Sequence, residues 1–145
     1  MSNSVFDLSG QVALVTGASR GLGQCFARAL AKAGADLILT SRRRETLAGF
    51  EAEIGSLGRR TVAVGLDVRD SSSIQRMAAQ AEAAFGQIHI LVNNAGCNVR
   101  KPALEITWDD WNLVLDTNLR GSFFVAQAIA RGMIAHRYGR IINIG

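Results

Sequence analysis

The 145-residue chain has little of several residue types, and each scarcity excludes a class of protein. Its two cysteines, Cys25 and Cys97, lack the spacing of a zinc site, so we expect no metal centre. Their low number fits a reducing compartment such as the cytoplasm. No apolar run approaches the ~20 residues of a transmembrane helix, and the N-terminus lacks the pattern of a secretory signal. We therefore expect a cytoplasmic protein that does not bind a membrane.

The chain also has no segment in which charge of one sign is concentrated. The net charge is +4, but the basic residues are scattered, and the run Arg42-Arg43-Arg44 is too short for a nucleic-acid-binding face. A single proline, Pro102, and 15 glycines indicate regular elements joined by glycine turns. Because 48% of the residues are hydrophobic, the chain can build the core of one ordinary domain.

Strand-like and helix-like segments alternate along the chain. The predicted strands are 11–16, 36–41, 61–66, 88–93 and 139–144. The predicted helices are 21–33, 44–57, 72–85 and a long helix from 107 to about 136. In the first helix, one side carries Leu22, Phe26, Ala29, Leu30 and Ala33. The long helix opens on Thr107-Trp108-Asp109-Asp110, the spacing of a capping box, and its tryptophans Trp108 and Trp111 are predicted core or interface anchors.

Single helices between apolar strands predict an α/β fold with a parallel sheet covered on both faces. Right-handed crossovers restrict it to a Rossmann-type doubly wound sheet in three αβα layers, with strand order 3-2-1-4-5. A ligand crevice is then expected at the carboxyl ends of strands 1 and 4, where the winding reverses. We expect residues 1–145 to be one dinucleotide-binding domain that stops at the end of strand 5.

The segment after strand 1 is typical of a phosphate-binding loop. It reads Thr16-Gly17-Ala18-Ser19-Arg20-Gly21-Leu22-Gly23 and leads into a predicted helix. Glycines let the backbone approach a diphosphate, and the free N–H groups at a helix N-terminus favour anions. The alternative is a glycine turn that serves packing alone, but the strand-loop-helix context favours the binding interpretation.

The spacing Gly-x-x-x-Gly-x-Gly resembles that of the short-chain dehydrogenase/reductase family, and three later motifs agree. They are Asp67-Val68 after strand 3, Asn93-Asn94-Ala95-Gly96 after strand 4, and Asn118 within Thr117-Asn118-Leu119-Arg120-Gly121. Segments around strands 1 and 4 are similar to the gluconate 5-dehydrogenase and 3-oxoacyl-carrier-protein reductase branch. The resemblance implies hydride transfer between a nicotinamide cofactor and a carbonyl or alcohol, and a homo-oligomer, dimer or tetramer.

The end of strand 2 favours NADP over NAD. An NAD site usually has an acidic residue there for the ribose 2′-hydroxyl, whereas this chain has Ser41 and Arg42. A hydroxyl and a guanidinium suit a 2′-phosphate, and Arg20 could approach the same phosphate. The alternative is that the arginines are exposed residues at a helix start, which fits Arg43 and Arg44 better than Arg42.

Other site residues follow from the resemblance. It implies that the loop residues Gly17, Ser19, Gly21, Leu22 and Gly23 bind the cofactor. It also implies that Asp67 accepts a hydrogen bond from the adenine amino group beside Val68, and that Asn94, Ala95 and Gly96 border the ribose. The alternative for Asp67 is an ordinary strand-end carboxylate, and the asparagines also brace strand 4.

The catalytic residues implied by the family are only partly present. Asn118 matches the asparagine that organises a water-linked proton relay, although it could also brace a kink beside Gly121. The family's serine at the end of strand 5 has no match, because the last three residues are Asn143-Ile144-Gly145. The Tyr-x-x-x-Lys motif has no match either, because the single tyrosine is Tyr138 and the residue four positions after it is Ile142. The resemblance implies an NADP-dependent oxidoreductase acting on a keto-sugar acid or 3-oxoacyl thioester. The alternatives are a non-catalytic NADP-binding fragment or a dinucleotide sensor.

Overall fold

Residues 5–145 are described by a computed structural model, and they form the predicted parallel sheet. The strands are β1 (Val12–Val15), β2 (Asp36–Ser41), β3 (Thr61–Gly65), β4 (Ile90–Asn93) and β5 (Arg140–Asn143). The helices are α1 (Gly21–Lys32), α2 (Ala48–Ser56), α3 (Ser71–Phe85), α4 (Trp108–Leu115) and α5 (Ser122–Ala135). All pairings are parallel in the order β3-β2-β1-β4-β5, which confirms the predicted doubly wound topology.

Alternate residues of the central strands bury their side chains on opposite faces of the sheet. On one face Leu14 and Leu91 pack with Met77 of α3 and Val125 of α5. On the other face the core contains Val15, Leu37, Leu39, Ala27 and Ile54, which join the sheet to α1 and α2. The sheet therefore lies between two helical layers, as the apolar runs predicted.

Helix α1 packs against the sheet through small residues, and the apolar side noted in the sequence contacts the core only in part, through Phe26 and Leu30. Helix α1 buries Gly23, Ala27 and Ala31, whereas the Leu22 side chain is 60% exposed. Small residues at i, i+4 and i+8 allow the helix axis to approach the sheet closely, and larger side chains of the next row pack at its flank. The closest contact with the sheet is therefore made by small residues and not by the most hydrophobic ones.

The predicted second and fourth helices are each divided. A 3₁₀ turn, Arg44–Leu47, precedes α2, and a π-helical segment, Asp116–Gly121, joins α4 to α5. The capping box at Thr107 and Asp110 is confirmed. Trp108 and Trp111 lie outside the core, with 83% and 57% of their surfaces exposed.

The outer strand β5 is exposed along its length. Ile141 and Ile142 retain 41% and 45% of their accessible surface. Within residues 5–145, no helix is both long and apolar enough to cross a membrane. The same residues contain no group of three or more histidine, cysteine, aspartate or glutamate side chains that could hold a metal ion.

A histidine ties the beginning of β4 to β1. His89 Nδ1 accepts a hydrogen bond of 3.0 Å from the backbone N–H of Val12, and its ring packs edge-on against Tyr138. Burial, and to a lesser degree the nearby His136, lowers the pKa of His89 below its usual 6.5. Because Nδ1 must be unprotonated to accept this hydrogen bond, the folded state favours neutral His89.

We therefore expect the protein to lose stability as the pH falls below about 6.5, because the unfolded chain binds a proton that folded His89 resists. The loss should reach about 1 kcal/mol, the usual net value of one hydrogen bond. Urea unfolding at pH 7.5 and 5.5 measures it. In His89→Gln the free energy of unfolding should change much less between these two pH values. In His136→Gln most of the pH-dependent loss should remain. Equal pH profiles for the two variants would contradict the assignment of the loss to His89.

Candidate dinucleotide site

The carboxyl ends of β1 and β4 are joined by a hydrogen-bonded brace. The buried hydroxyl oxygen Oγ1 of Thr16 accepts hydrogen bonds from the backbone N–H groups of Asn94, at 3.0 Å, and Ala95, at 2.9 Å. In return, the Asn94 side-chain amide donates to the carbonyl oxygens of Thr16, at 3.0 Å, and Gly17, at 3.2 Å. The brace fixes the start of the glycine loop against the segment after β4. Thr16 was not among the predicted site residues.

Two glycines of the loop that enters α1, Gly17 and Gly23, leave no space for a side chain. At Gly17 the φ angle is +65°, and an added Cβ would lie 2.9 Å from Ala95 Cα. At Gly23 an added Cβ would lie 2.2 Å from the carbonyl oxygen of Gly17. Both positions therefore need glycine, because backbone atoms fill the space a side chain would take.

The N-terminus of α1 is open to an anion. Its cap residue, Arg20, makes no side-chain capping hydrogen bond, and the first turn contains no acidic residue. The N–H groups of this turn have no partner within the helix, and the helix dipole adds positive potential there. Ser19 is held nearby through its carbonyl oxygen, which accepts a hydrogen bond from the Gln24 side chain at 3.1 Å.

The turn after β2 holds its arginines in different ways. Ser41 Oγ donates to the Arg43 carbonyl oxygen at 2.7 Å, and the Thr46 hydroxyl donates to the same oxygen at 2.6 Å. Arg44 Nε donates to the carbonyl oxygen of Ala63 in β3, at 2.8 Å. In the described part of the chain, no ion pair or side-chain hydrogen bond occupies the exposed guanidinium groups of Arg42 and Arg43. These two remain available to a ligand.

The carboxylate after β3 is held by a residue that the sequence interpretation missed. Arg69 Nε and Nη2 contact Asp67 Oδ1 and Oδ2 at 3.3 and 3.1 Å, and the Arg69 backbone N–H donates to Oδ1 at 3.0 Å. The hydrogen bond from the Arg69 side chain lowers the pKa of Asp67, against the effect of partial burial. Asp67 is therefore ionised at neutral pH.

The π-helical segment connects to both neighbouring loops. An added Cβ on Gly121 would lie 2.8 Å from Val68 Cβ, so the helix packs directly on the residue after Asp67. Asn118 pairs with the backbone of Cys97, accepting from its N–H at 2.8 Å and donating to its carbonyl oxygen at 2.9 Å. The Asn118 side chain thereby fixes the chain just after Gly96.

The fold thus places every predicted site residue near one edge of the sheet, although with different partners. The glycine loop and Asn94 to Gly96 meet directly across β1 and β4, while Asp67 and Arg42 flank them at β3 and β2. Leu22 was predicted to contact the cofactor, and its side chain lies mainly in solvent. The arrangement offers N–H donors, two free guanidinium groups and one ionised carboxylate to a phosphate-bearing ligand.

The family model for short chain dehydrogenases matches residues 11–145. The chain belongs to this family. Among curated relatives, gluconate 5-dehydrogenase of Gluconobacter oxydans is 43% identical over 97% of this chain and 55% of that enzyme. The 3-oxoacyl-[acyl-carrier-protein] reductase of Escherichia coli is 38% identical over 96% of this chain and 56% of that enzyme. This short-chain dehydrogenase chain therefore spans little more than half the length of these relatives.

Solved structures of the short-chain dehydrogenase family superpose closely on it. A gluconate 5-dehydrogenase from Burkholderia cenocepacia in complex with NADP and tartrate has a TM-score of 0.88 at 40% identity, covering 94% of this chain and 53% of that one. A metagenomic short-chain oxidoreductase in complex with NADP has a TM-score of 0.89 at 40% identity, covering 95% of this chain and 63% of that one. These matches confirm the family resemblance seen in the sequence motifs.

Proposed function

We propose that the chain, as one domain over residues 1–145, binds NADP(H) and belongs to an oxidoreductase that interconverts a carbonyl and an alcohol. The observation that carries the cofactor assignment is the end of β2, where two free guanidinium groups stand in place of an acidic residue. A carboxylate there would repel a 2′-phosphate, and a guanidinium binds one in bidentate fashion. That two similar structures are complexes with NADP supports this choice.

In this proposal the loop residues bind the diphosphate through backbone N–H groups at the start of α1. Arg42, with Arg20 from the loop, holds the 2′-phosphate, and Ser41 joins them when its hydroxyl turns from the Arg43 carbonyl oxygen to the phosphate. Asp67 accepts from the adenine amino group. The proposed cofactor-binding residues are Gly17, Ser19, Arg20, Gly21, Leu22, Gly23, Ser41, Arg42, Asp67, Val68, Asn94, Ala95 and Gly96.

The bound cofactor would supply or accept the hydride, and Asn118 would contribute by holding the backbone at Cys97 beside it. A keto-sugar acid or a 3-oxoacyl thioester is the proposed substrate class, because relatives named for both chemistries are similar along this chain. Two free cysteines, Cys25 and Cys97, support a reducing compartment, and we propose the cytoplasm.

The exposed apolar residues of α4, the π-helical segment and α5 support a homo-oligomer. Trp108, Leu119 and Phe123 are 83%, 67% and 60% exposed, which is more apolar surface than scattered single residues account for. We propose that this face packs against a second copy, as a dimer or tetramer. Sedimentation equilibrium showing only monomers at high concentration would contradict it.

Dinucleotide binding and turnover are separable. Of the four residues to which the family resemblance assigns the chemistry, these 145 residues contain a match only for Asn118. We therefore propose binding without turnover, as a fragment or a dinucleotide sensor, for these residues by themselves. NADPH oxidation with a panel of polar ketones tests this, and sustained turnover by the 145-residue chain would refute it.

Fluorescence titration with NADPH and NADH tests the cofactor assignment directly. We expect tighter binding of NADPH, and Arg42→Asp should weaken it about 100-fold because a charge-assisted contact becomes a repulsion. NADH affinity should change far less, so the preference reverses. Arg43→Asp is the matched control and should have a smaller effect. Equal affinities of the unmutated protein for the two dinucleotides would refute the assignment.

A further inference from the structure

The carboxylate of Asp67 is held by Arg69 more completely than an ordinary surface ion pair requires. Two guanidinium N–H groups point at separate carboxylate oxygens, and the Arg69 backbone N–H closes a short turn onto Oδ1. These contacts restrict both torsions of the Asp67 side chain. The backbone N–H of Asp67 is held as well, because it donates to Ser73 Oγ at 3.0 Å.

A neighbouring pair on the same segment shows what a loose ion pair looks like. Arg76 approaches Asp70 with a single contact of 3.8 Å, and both side chains are largely solvent-exposed, at 66% and 49%. The side chains of Arg69 and Asp67 are 39% and 35% exposed. A two-point pair of similar exposure, Arg28 with Glu53, joins α1 to α2. Asp67 and Arg69 are two residues apart and join no separate elements, and surface pairs contribute little to stability, so this clamp is better explained by the position it gives the carboxylate.

The clamp leaves the carboxylate able to accept one further hydrogen bond in a defined direction. Oδ1 accepts from two N–H groups of Arg69, whereas Oδ2 accepts from only one. A carboxylate oxygen has two lone pairs, so Oδ2 retains an acceptor position. Asp67 follows β3 at the same sheet edge as Arg42, whose positive charge also lowers the pKa of Asp67.

We propose that Arg69 is a positioning residue for purine recognition, which holds Asp67 in one rotamer with Oδ2 presented to the exocyclic amino group of an adenine. The inference rests on the proposed NADP(H) function and deepens it. Arg69 acts through Asp67 and selects an amino group over an oxygen at position 6 of the purine. A purine with a carbonyl at that position would place two acceptors against each other, and its nearest proton would be on the neighbouring N1, so a carboxylate held in one rotamer would have to shift to accept it.

Binding of two dinucleotides tests this selection without measuring activity. The probes are NADPH and its hypoxanthine analogue, in which a carbonyl oxygen replaces the adenine amino group. The full chain should bind NADPH about tenfold more tightly or better, since one hydrogen bond to a charged group is gained or lost. In Arg69→Met the preference should fall below about threefold, because the Asp67 carboxylate is then free to rotate. Arg76→Met, which breaks the loose pair, is the matched control and should retain the full preference.

A double-mutant cycle separates positioning from general damage to the fold. If Arg69 acts through Asp67, Arg69→Met should not change the preference further in an Asp67→Asn background. Equal weakening of both dinucleotides by Arg69→Met, with the ratio intact, would overturn the inference and indicate direct contact with the purine ring. An unmutated chain that binds both equally would also overturn it and leave NADP(H) binding standing. If neither dinucleotide binds, the proposed function fails and the inference fails with it.

Discussion

Gly23→Ala should abolish dinucleotide binding and lower the free energy of unfolding by about 3 kcal/mol, the upper range for overpacking a close contact. The new Cβ would lie 2.2 Å from the carbonyl oxygen of Gly17 and 2.8 Å from the Asn94 side-chain nitrogen. A flexible side chain could rotate away, but the carbonyl belongs to the backbone of the binding loop. The loop and α1 must therefore separate, which moves the N–H groups that would hold the diphosphate.

Urea unfolding and NADPH titration of the same samples measure the two effects. The matched control is Gly55→Ala at the exposed end of α2, where an added Cβ meets no atom within 4 Å. That variant should bind NADPH normally and gain about 0.5 kcal/mol from better helix propensity. Unimpaired NADPH binding by Gly23→Ala would show that this close approach is not required.

Thr16→Val should lower the free energy of unfolding by about 2–4 kcal/mol, because it leaves two N–H donors without an acceptor. Valine has nearly the shape of threonine, so the change removes the oxygen without opening a cavity. The side chain of Thr16 is buried, at 1% exposure, and water cannot readily replace the lost partner of Asn94 and Ala95. The segment after β4 should then shift away from the glycine loop.

Chemical denaturation measures the loss, and dinucleotide titration should show weaker binding in the same variant. Thr16→Ser is the informative control, since it keeps the hydroxyl and deletes only a methyl group. It should retain most of the binding and cost about 1 kcal/mol or less. If the serine and valine variants lose equal stability, packing of the methyl group, and not the hydroxyl, is what Thr16 contributes.

The features that the sequence predicted correctly are local ones, and those that it did not predict depend on packing. Apolar runs correctly placed the five strands of the sheet, because each pattern lies within a few consecutive residues. The apolar side of α1 packs on the core only in part, because Leu22 is too large for the close contact that Gly23 makes and stays exposed. The long helix was predicted as one piece. Its start has a clear local signal, the capping box at Thr107, whereas the π-helical segment around Asn118 has no comparable signal in the sequence.

Taken alone, the sequence determined the doubly wound topology and the family. These features depend on hydrophobic periodicity and on short motifs, which can be recognised from residues that are adjacent in the sequence. Only the tertiary structure showed that Thr16 accepts from the backbone 78 residues away, and that Arg69 turns back onto Asp67. The physical reason is that a hydroxyl or a guanidinium has many possible partners, and the packed strands decide which of them comes within hydrogen-bond distance.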